Sequence, residues 1–266
     1  MNVMQQGIRA SITQLIDLTC WNKWNYQGRR AILSARFYAR GRKSSSSRWL
    51  RRQRDDPYVK KAMELGYRSR SAFKLLEMDK KFKIFKKGDI VIDIGASPGS
   101  WTQVALDKTG KRGLVMAVDI RGMKSVGEAM IFDHMDFGVP STHTFIQNML
   151  VNSKADVIMS DMSPNVAGSP KFDHQAIMTQ ALCALKFTFA NLVYNGTFIC
   201  KMFHGSDEGL FKDMLKQNYH RINEFKPAAS RSESNEFYYI CRHRKYYRKP
   251  SKEERENADL IWQYPI

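Results

Sequence analysis

The sequence holds little cysteine and none of it is paired. Cys20, Cys183, Cys200 and Cys241 are scattered over 266 residues, with no C-x-x-C doublet and no histidine doublet nearby. That argues against a zinc site of ordinary spacing and against a disulfide scaffold, so no metal is expected and cysteine reads as core filling. No uninterrupted apolar run reaches the ~18 residues that crossing a bilayer takes. The best stretch, 181–200, is broken by Lys186, Asn191, Asn195 and Gly196, so a soluble chain without a membrane span is expected. There is no internal repeat, and SSSS at 44–47 is the only low-complexity piece, which sets aside solenoids and propellers.

Acid is also scarce at one end. Residues 1–43 carry Arg9, Lys23, Arg29, Arg30, Arg36, Arg40, Arg42 and Lys43 against Asp17 alone, +7 of a net +17. Met4, Ile8, Ile12 and Leu15 recur there at helical spacing opposite Arg9, before the arginine-rich RRAILSARFYARGRK. An amphipathic, acid-poor amino end is the pattern of a mitochondrial presequence, and the expected location is the mitochondrial matrix. A basic arm that binds RNA fits the same residues. The rest of the chain keeps +10, which implies a polyanionic partner such as nucleic acid.

What is abundant is a regular alternation. Apolar, β-branched or aromatic runs, IVIDIG (90–95), GLVMAVDI (113–120), DVIMSDM (156–162) and GTFICKMF (196–203), are separated by helix-length segments. This is βαβ logic and predicts an α/β fold, a mostly parallel sheet with helices on both faces. INEFKP (222–227) and EFYYICR (236–242) lie too close together for a helical crossover, so the last pair is expected to be antiparallel. The chain divides into a presequence (1–43), a basic linker or arm (44–60), a folded body (61–249) and a carboxyl tail (250–266).

In such sheets the ligand sits beyond the carboxyl ends of the strands, and a glycine-rich first turn lets the backbone approach it. Gly95 and Gly99 in VIDIGASPGSW fit that place. Their G-x-x-x-G spacing is neither the G-x-G-x-x-G of a dinucleotide site nor a P-loop. Asp119 ends the second strand 24 residues after Gly95, where such folds bond ribose hydroxyls, and Asp136 in HMDF can meet a base amine at the end of the next strand. A nucleoside without phosphates fits best, which describes S-adenosylmethionine; an ordinary strand-turn-helix fits the glycines and acid as well. Asp161 in MSDMSPN and Lys201 in FICKMF interrupt apolar strands at the same face, a costly placement unless the charges are used or paired. Lys74 on the early helix and Glu236 at the start of the last strand complete two acids and two bases. Each has a plainer reading: Lys74 with Glu77 as a surface pair, Glu236 as an exposed strand end, Asp161 and Lys201 as a structural ion pair.

From about Arg48 to Arg244 the sequence resembles the FtsJ family of ribose 2'-O-methyltransferases. The resemblance rests on SRSAFKLLE, DIGASPGSWTQVA, VDI, MSDMSPN, CKMFHG and SRSESNEFYYI, in family order. It implies a Rossmann-like methyltransferase domain over 61–249, S-adenosylmethionine as cofactor, and a Lys-Asp-Lys-Glu tetrad at Lys74, Asp161, Lys201 and Glu236. The cofactor pocket carries over to Gly95, Pro98, Gly99, Trp101, Asp119, Asp136 and Asp161, although Trp101 on its helix also reads as packing. RWLRRQRDDPYVKKA looks most like the mitochondrial branch. Ser97, Ser100 and Ile120 depart from the residues usual in the family. His204 follows Lys201 closely but has no family role and reads as pocket wall.

The implied substrate is large-subunit ribosomal RNA or a pre-ribosomal particle, methylated on a uridine ribose by a monomer. A ribosome-assembly factor without needed turnover, and a cap or tRNA methyltransferase, are the alternatives. Arg48, Arg51, Arg52 and Arg54 beside Trp49, and Arg244 and Lys245 in RHRKYYRK, combine phosphate-seeking charge with rings that stack bases, and are expected RNA contacts. The loop SPNVAGSPKF (163–172) would border the RNA groove.

Overall fold

The computed structural model describes residues 54–164, 170–205 and 208–246. The expected presequence, Arg48, Arg51, Arg52, the middle of the 163–172 loop and the carboxyl tail lie outside them.

Thirteen elements follow in chain order: α1 (Pro57–Glu64), α2 (Ser71–Phe82), β1 (Ile90–Ile94), α3 (Ser100–Thr109), β2 (Leu114–Val118), β3 (Met130–Phe132), α4 (Pro140–Met149), β4 (Ala155–Ser160), α5 (Pro170–Asn191), β5 (Leu192–Phe203), α6 (Glu208–Asn218), β6 (Tyr219–Phe225) and β7 (Glu236–Arg244). The strands form one sheet in the order β3-β2-β1-β4-β5-β7-β6. The first five run parallel, and β7 runs antiparallel to both β5 and β6. This is the mostly parallel sheet with an inverted last strand that the spacing of the apolar runs predicts.

The central strands IVIDI and LVMAV are buried at every position, because helices cover both faces. Ile90, Ile92 and Ile94 point to one apolar layer with Leu114, Met116 and Val118, beneath α4 and α5. Val91 and Val115 point to the other, under α2 and α3 with Leu75, Met78, Val104 and Tyr238. Strand β3, only Met-Ile-Phe and half-exposed, precedes Asp136 as the counting of strands requires. β6 starts at Tyr219, three residues before INEFKP, because Tyr219 is itself a buried core residue stacked on Phe198.

The boundary at 60/61 falls inside α1, so the folded body begins earlier than the composition suggests. Asp56 caps this helix, accepting from the Tyr58 and Val59 N–H groups, with Pro57 in the first turn. The same carboxylate pairs with Arg70 at 2.5 Å, tying α1 to the start of α2. Helix α2 ends where Lys83 turns left-handed and Asp79 folds back to accept the Ile84 and Phe85 N–H groups. The Asp56–Arg70 pair at its start and the Asp79 bonds at its end fix the helix that carries Lys74.

Strand order reverses between β1 and β4, and their carboxyl ends open a crevice there. Among the described residues no helix is long and apolar enough to cross a membrane.

Candidate active site

The turn after β1 is shaped by two glycines that nothing larger could replace. Gly95 has φ +76°, and a Cβ there would lie 2.8 Å from Met162 Cγ and 2.9 Å from the Met162 backbone. Gly99 has φ +106°, and its Cβ would meet Val126 Cγ2 at 2.8 Å and Arg68 Nη1 at 2.9 Å. Left-handed backbone and close approach therefore coincide at both ends of the turn. Arg68 locks the turn from outside: Nη1 donates to the carbonyls of Pro98 (2.9 Å) and Lys124 (2.8 Å), and Nη2 to that of Ser125. Asp119 locks it from inside, accepting the Ser97 N–H at 2.8 Å and the Arg121 N–H at 2.7 Å.

Three carboxylates gather around this turn. Asp93 lies wholly buried in β1, with Oδ2 accepting from Thr102 Oγ1 at 2.7 Å and Oδ1 without a hydrogen-bond partner. Burial first, then the charges of Asp161 and Asp119, push its carboxyl up to about 7. Ile120, a large apolar side chain left exposed, follows Asp119 at the lip. Concentrated negative charge, an open backbone cradle and an apolar lip suit a cationic nucleoside and disfavour a polyphosphate. S-adenosylmethionine, with its sulfonium and ammonium, fits that description.

Asp93 gives the site a pH signature. Between about pH 4 and 7 the folded protein holds a proton that the unfolded chain has released, so stability falls as pH rises through that window. Asp93→Asn is expected to raise the thermal midpoint of the free protein at pH 8 by several degrees, for about 4 kcal/mol, and hardly at pH 4. Asp89, also pushed up to about 6 by burial, acts in both proteins and cancels in the comparison. Equal gaps at the two pH values would overturn the assignment.

The four residues expected to work together meet at the carboxyl end of the sheet. Lys201 Nζ lies 2.6 Å from Asp161 Oδ1 and donates to the Asp161 carbonyl at 2.8 Å. The Ser160–Cys200 register of β4 and β5 puts the two residues side by side. Lys74 reaches from α2 to Glu236, which opens β7, and the contact is nearly buried at 12% and 11% exposure. The surface-pair reading of Lys74 fails, because Glu77 instead accepts the Ala228 and Ala229 N–H groups. Burial alone would raise the Asp161 carboxyl, but the Lys201 and Lys74 charges and the hydrogen bonds from Lys201 and Tyr238 hold it below the ordinary carboxylate range.

Tyr238 joins the two ion pairs, a role that the sequence expectations do not give it. Its hydroxyl donates to Asp161 Oδ1 at 2.7 Å and accepts from Lys74 Nζ at 3.3 Å. The signal was present: period two along EFYYI puts Tyr238 on the face of Glu236, and a buried tyrosine hydroxyl has to find a partner. Ser71 is likewise absent from those expectations. Its Oγ donates to Asp161 Oδ2 at 3.0 Å, so both carboxylate oxygens are engaged. Asp93 is a third residue outside those expectations, although an acid inside the apolar run IVIDIG is the same kind of signal as the charged residues inside the runs of Asp161 and Lys201.

Other expected positions fall elsewhere. The Trp101 indole is core: it is 2% exposed, packs 5.6 Å from the Tyr238 ring and donates Nε1–H to the Ser71 carbonyl. What Trp101 can offer a cofactor is its backbone N–H in the first turn of α3. Asp136 sits exposed at the rim, accepting from the Gly138 N–H. His204 is exposed at the end of β5, stacked 4.3 Å from the Phe237 ring and fixed by Glu208 at 3.0 Å. Arg54 is exposed and paired with Asp55.

Arg244 is a correction. It is buried at 6% exposure, with Nη1 donating to the Leu192 carbonyl and Nη2 to the Phe189 carbonyl at 2.7 Å. Its guanidinium closes the junction of α5 with β5 and, buried against those two carbonyls, has no free face to offer RNA. Lys245 donates to the Lys216 carbonyl. Arg244→Ala is therefore expected to cost about 2–4 kcal/mol of stability by orphaning two carbonyls, with RNA affinity at low temperature unchanged. A tenfold loss of affinity at full stability would restore the RNA role.

The chain matches the FtsJ-like methyltransferase family over residues 67–244. It is 43% identical over 206 residues to a ribosomal RNA large subunit methyltransferase E of Azorhizobium caulinodans, covering 76% of this chain and 85% of that one. It is 43% identical over 203 residues to the protein of the same name in Acidiphilium cryptum, covering 76% and 88%. Among solved structures, a ribosomal RNA methyltransferase from Plasmodium falciparum superposes with a TM-score of 0.61 at 28% identity, over 67% of this chain and 98% of that chain. The family uses S-adenosylmethionine as methyl donor, in keeping with the turn and its carboxylates, and this chain belongs to the FtsJ-like methyltransferases.

Proposed function

We propose that this protein transfers a methyl group to the 2'-hydroxyl of a uridine ribose in mitochondrial large-subunit ribosomal RNA. The observation that carries the reading is the pairing of Lys201 with Asp161 and Lys74 with Glu236, joined through the Tyr238 hydroxyl, beside the glycine turn. The large-subunit names of the relatives support the RNA class. The acid-poor residues 1–43 support the mitochondrial matrix.

S-adenosylmethionine supplies a methyl group on a sulfonium. Asp119 would hold its ribose hydroxyls, Asp136 its base amine, and the Gly95–Gly99 turn with the Trp101 N–H would admit its methionine part. A ribose hydroxyl is a weak nucleophile until its proton is leaving. As an ammonium Lys201 stabilises the developing oxyanion, and once its own proton has left, its free amine takes or shares the hydroxyl proton. Asp161 aims the Lys201 amine, Glu236 aims Lys74, and Lys74 adds a second positive charge through Tyr238. Desolvation on RNA binding makes each of these charges count for more.

The test is transfer of methyl label from S-adenosylmethionine to naked large-subunit rRNA and to precursor subunits. Label in a uridine whose linkage resists alkali is the expected result, because only a 2'-O-methyl blocks that cleavage. Label on a base would overturn the ribose reading. Tight RNA binding without transfer on any assembly state would move the protein to an assembly role, and cytosolic or nuclear residence of a tagged protein would overturn the mitochondrial one.

A further inference from the structure

The far edge of the sheet carries a concentration of positive charge that the reaction does not use. Arg221 on β6 and Arg242 on β7 stand directly opposite each other in the antiparallel ladder. Like charges placed so are destabilising. The Arg242 guanidinium leans away, over the Phe82 ring at 5.5 Å, and donates to the Phe82 carbonyl at 3.0 Å. Its Nε is buried without a partner. Lys81, at the end of α2, rests 4.7 Å from the Phe225 ring on the same face.

His220, His243 and Lys86 complete the group, all exposed. Among the described residues none of Lys86, His220, Arg221, Arg242 and His243 forms an ion pair. The acids near this end are committed elsewhere: Asp79 to Lys108 and its helix cap, Glu224 to Lys212, and Asp89 to the Lys86 N–H. His243 is held below the ordinary histidine range by slight desolvation and then by the neighbouring Arg221, Arg242, His220 and Lys86. Burial and Arg221 lower Arg242 in the same way. Charge on an edge strand also discourages strand addition, but that purpose calls for neither a like-charged cross-strand pair nor the absence of nearby free carboxylates.

We propose that this face, built from the end of α2 and strands β6 and β7, is a second RNA surface that binds the sugar-phosphate backbone of the folded substrate. It rests on the reading of the substrate as large-subunit rRNA. Six residues of β7 separate Arg242 from Glu236, about 20 Å along the strand. A trinucleotide held at the tetrad does not span that distance, whereas a folded RNA domain does. The surface reads no sequence; it fixes register and orientation by phosphate contact.

The test compares the wild-type protein with Lys86→Gln/Arg221→Gln and with Lys86→Glu/Arg221→Glu. Both sites are exposed, and unchanged thermal midpoints and S-adenosylhomocysteine affinity verify the fold. Binding is measured against salt for a folded rRNA fragment of about a hundred nucleotides and for a trinucleotide. The expected result is roughly tenfold weaker binding of the fragment, greater for the glutamates, and a log K against log salt slope shallower by ~1–2. The trinucleotide is expected to bind as before, and kcat at saturating fragment to hold while KM rises. Wild-type affinity and slope in both variants would overturn the surface. So would unchanged RNA binding with lost binding to vesicles of phosphatidylcholine and phosphatidylglycerol, which would assign the face to a membrane. Wild-type protein that binds the fragment through this face but never methylates it overturns the substrate reading and leaves the surface standing.

Discussion

Lys201→Ala is expected to lower the methyl-transfer rate by ~10³-fold or more, with S-adenosylhomocysteine affinity changed by less than about threefold. The amine is 7% exposed and is held by both the carboxylate and the carbonyl of Asp161, so its position leaves it little freedom. A proton acceptor or oxyanion partner fixed in this way supplies ~10²–10⁴-fold, and here one residue is asked to supply both effects. The substitution also leaves the largely buried Asp161, 18% exposed, without its nearest cation but with its Ser71 and Tyr238 hydrogen bonds, which costs up to about 3 kcal/mol. Activity lost through unfolding has to be separated from activity lost through chemistry.

Lys201→Arg makes that separation. A guanidinium keeps the charge and can still meet Asp161, so the thermal midpoint should stay near that of the wild type. It does not give up its proton at working pH, so it cannot serve as a base. Loss of transfer in a stable arginine variant assigns Lys201 to proton removal. Substantial retained transfer assigns it to electrostatic stabilisation. Wild-type rates in the alanine variant would remove Lys201 from the mechanism and leave Lys74 as the cation to test.

Much of this site is legible in the sequence because burying charge is costly. A lysine in FICKMF and an aspartate in MSDM break runs that otherwise want only apolar residues, and the sheet brings both to one crevice. Tyr238 and Ser71 are harder to read. A tyrosine in a strand and a serine at a helix start are ordinary residues there, and only the register of β7 beside β5 and the angle of α2 show which carboxylate they serve. Arg244 misleads for the opposite reason. Within RHRKYYRK it looks like its neighbours, and the left-handed backbone of His243, φ +59°, turns Arg244 to the α4 and α5 side of the sheet, where it meets the α5 carbonyls. Composition counts that charge as surface, whereas the backbone places it inside.

The fold-wide consequence of the glycine turn is the second large effect. Gly95→Ala is expected to cost about 3 kcal/mol or more, lowering the thermal midpoint by roughly 6–12 °C, and to weaken S-adenosylhomocysteine binding at least tenfold. Two costs add. A left-handed backbone is strained for alanine by ~1 kcal/mol or more, and the new methyl meets the Met162 N and Cα at 2.9 Å. A side chain could swing aside; backbone cannot. Met162 follows Asp161, whose N–H is bonded to the Ile94 carbonyl at 3.1 Å, so relief means parting the ends of β1 and β4. That motion carries Asp161 away from Lys201, Ser71 and Tyr238 together. Gly66→Ala is the matched control: its φ is +73°, nearly the same, but nothing lies within 4 Å of the added methyl. Gly66→Ala should pay the strain alone, about 1 kcal/mol, and keep cofactor affinity. If the two variants lose equal stability and both keep the cofactor, the close approach of the β1 turn to Met162 contributes nothing, and the register of Asp161 must be held by β5 instead.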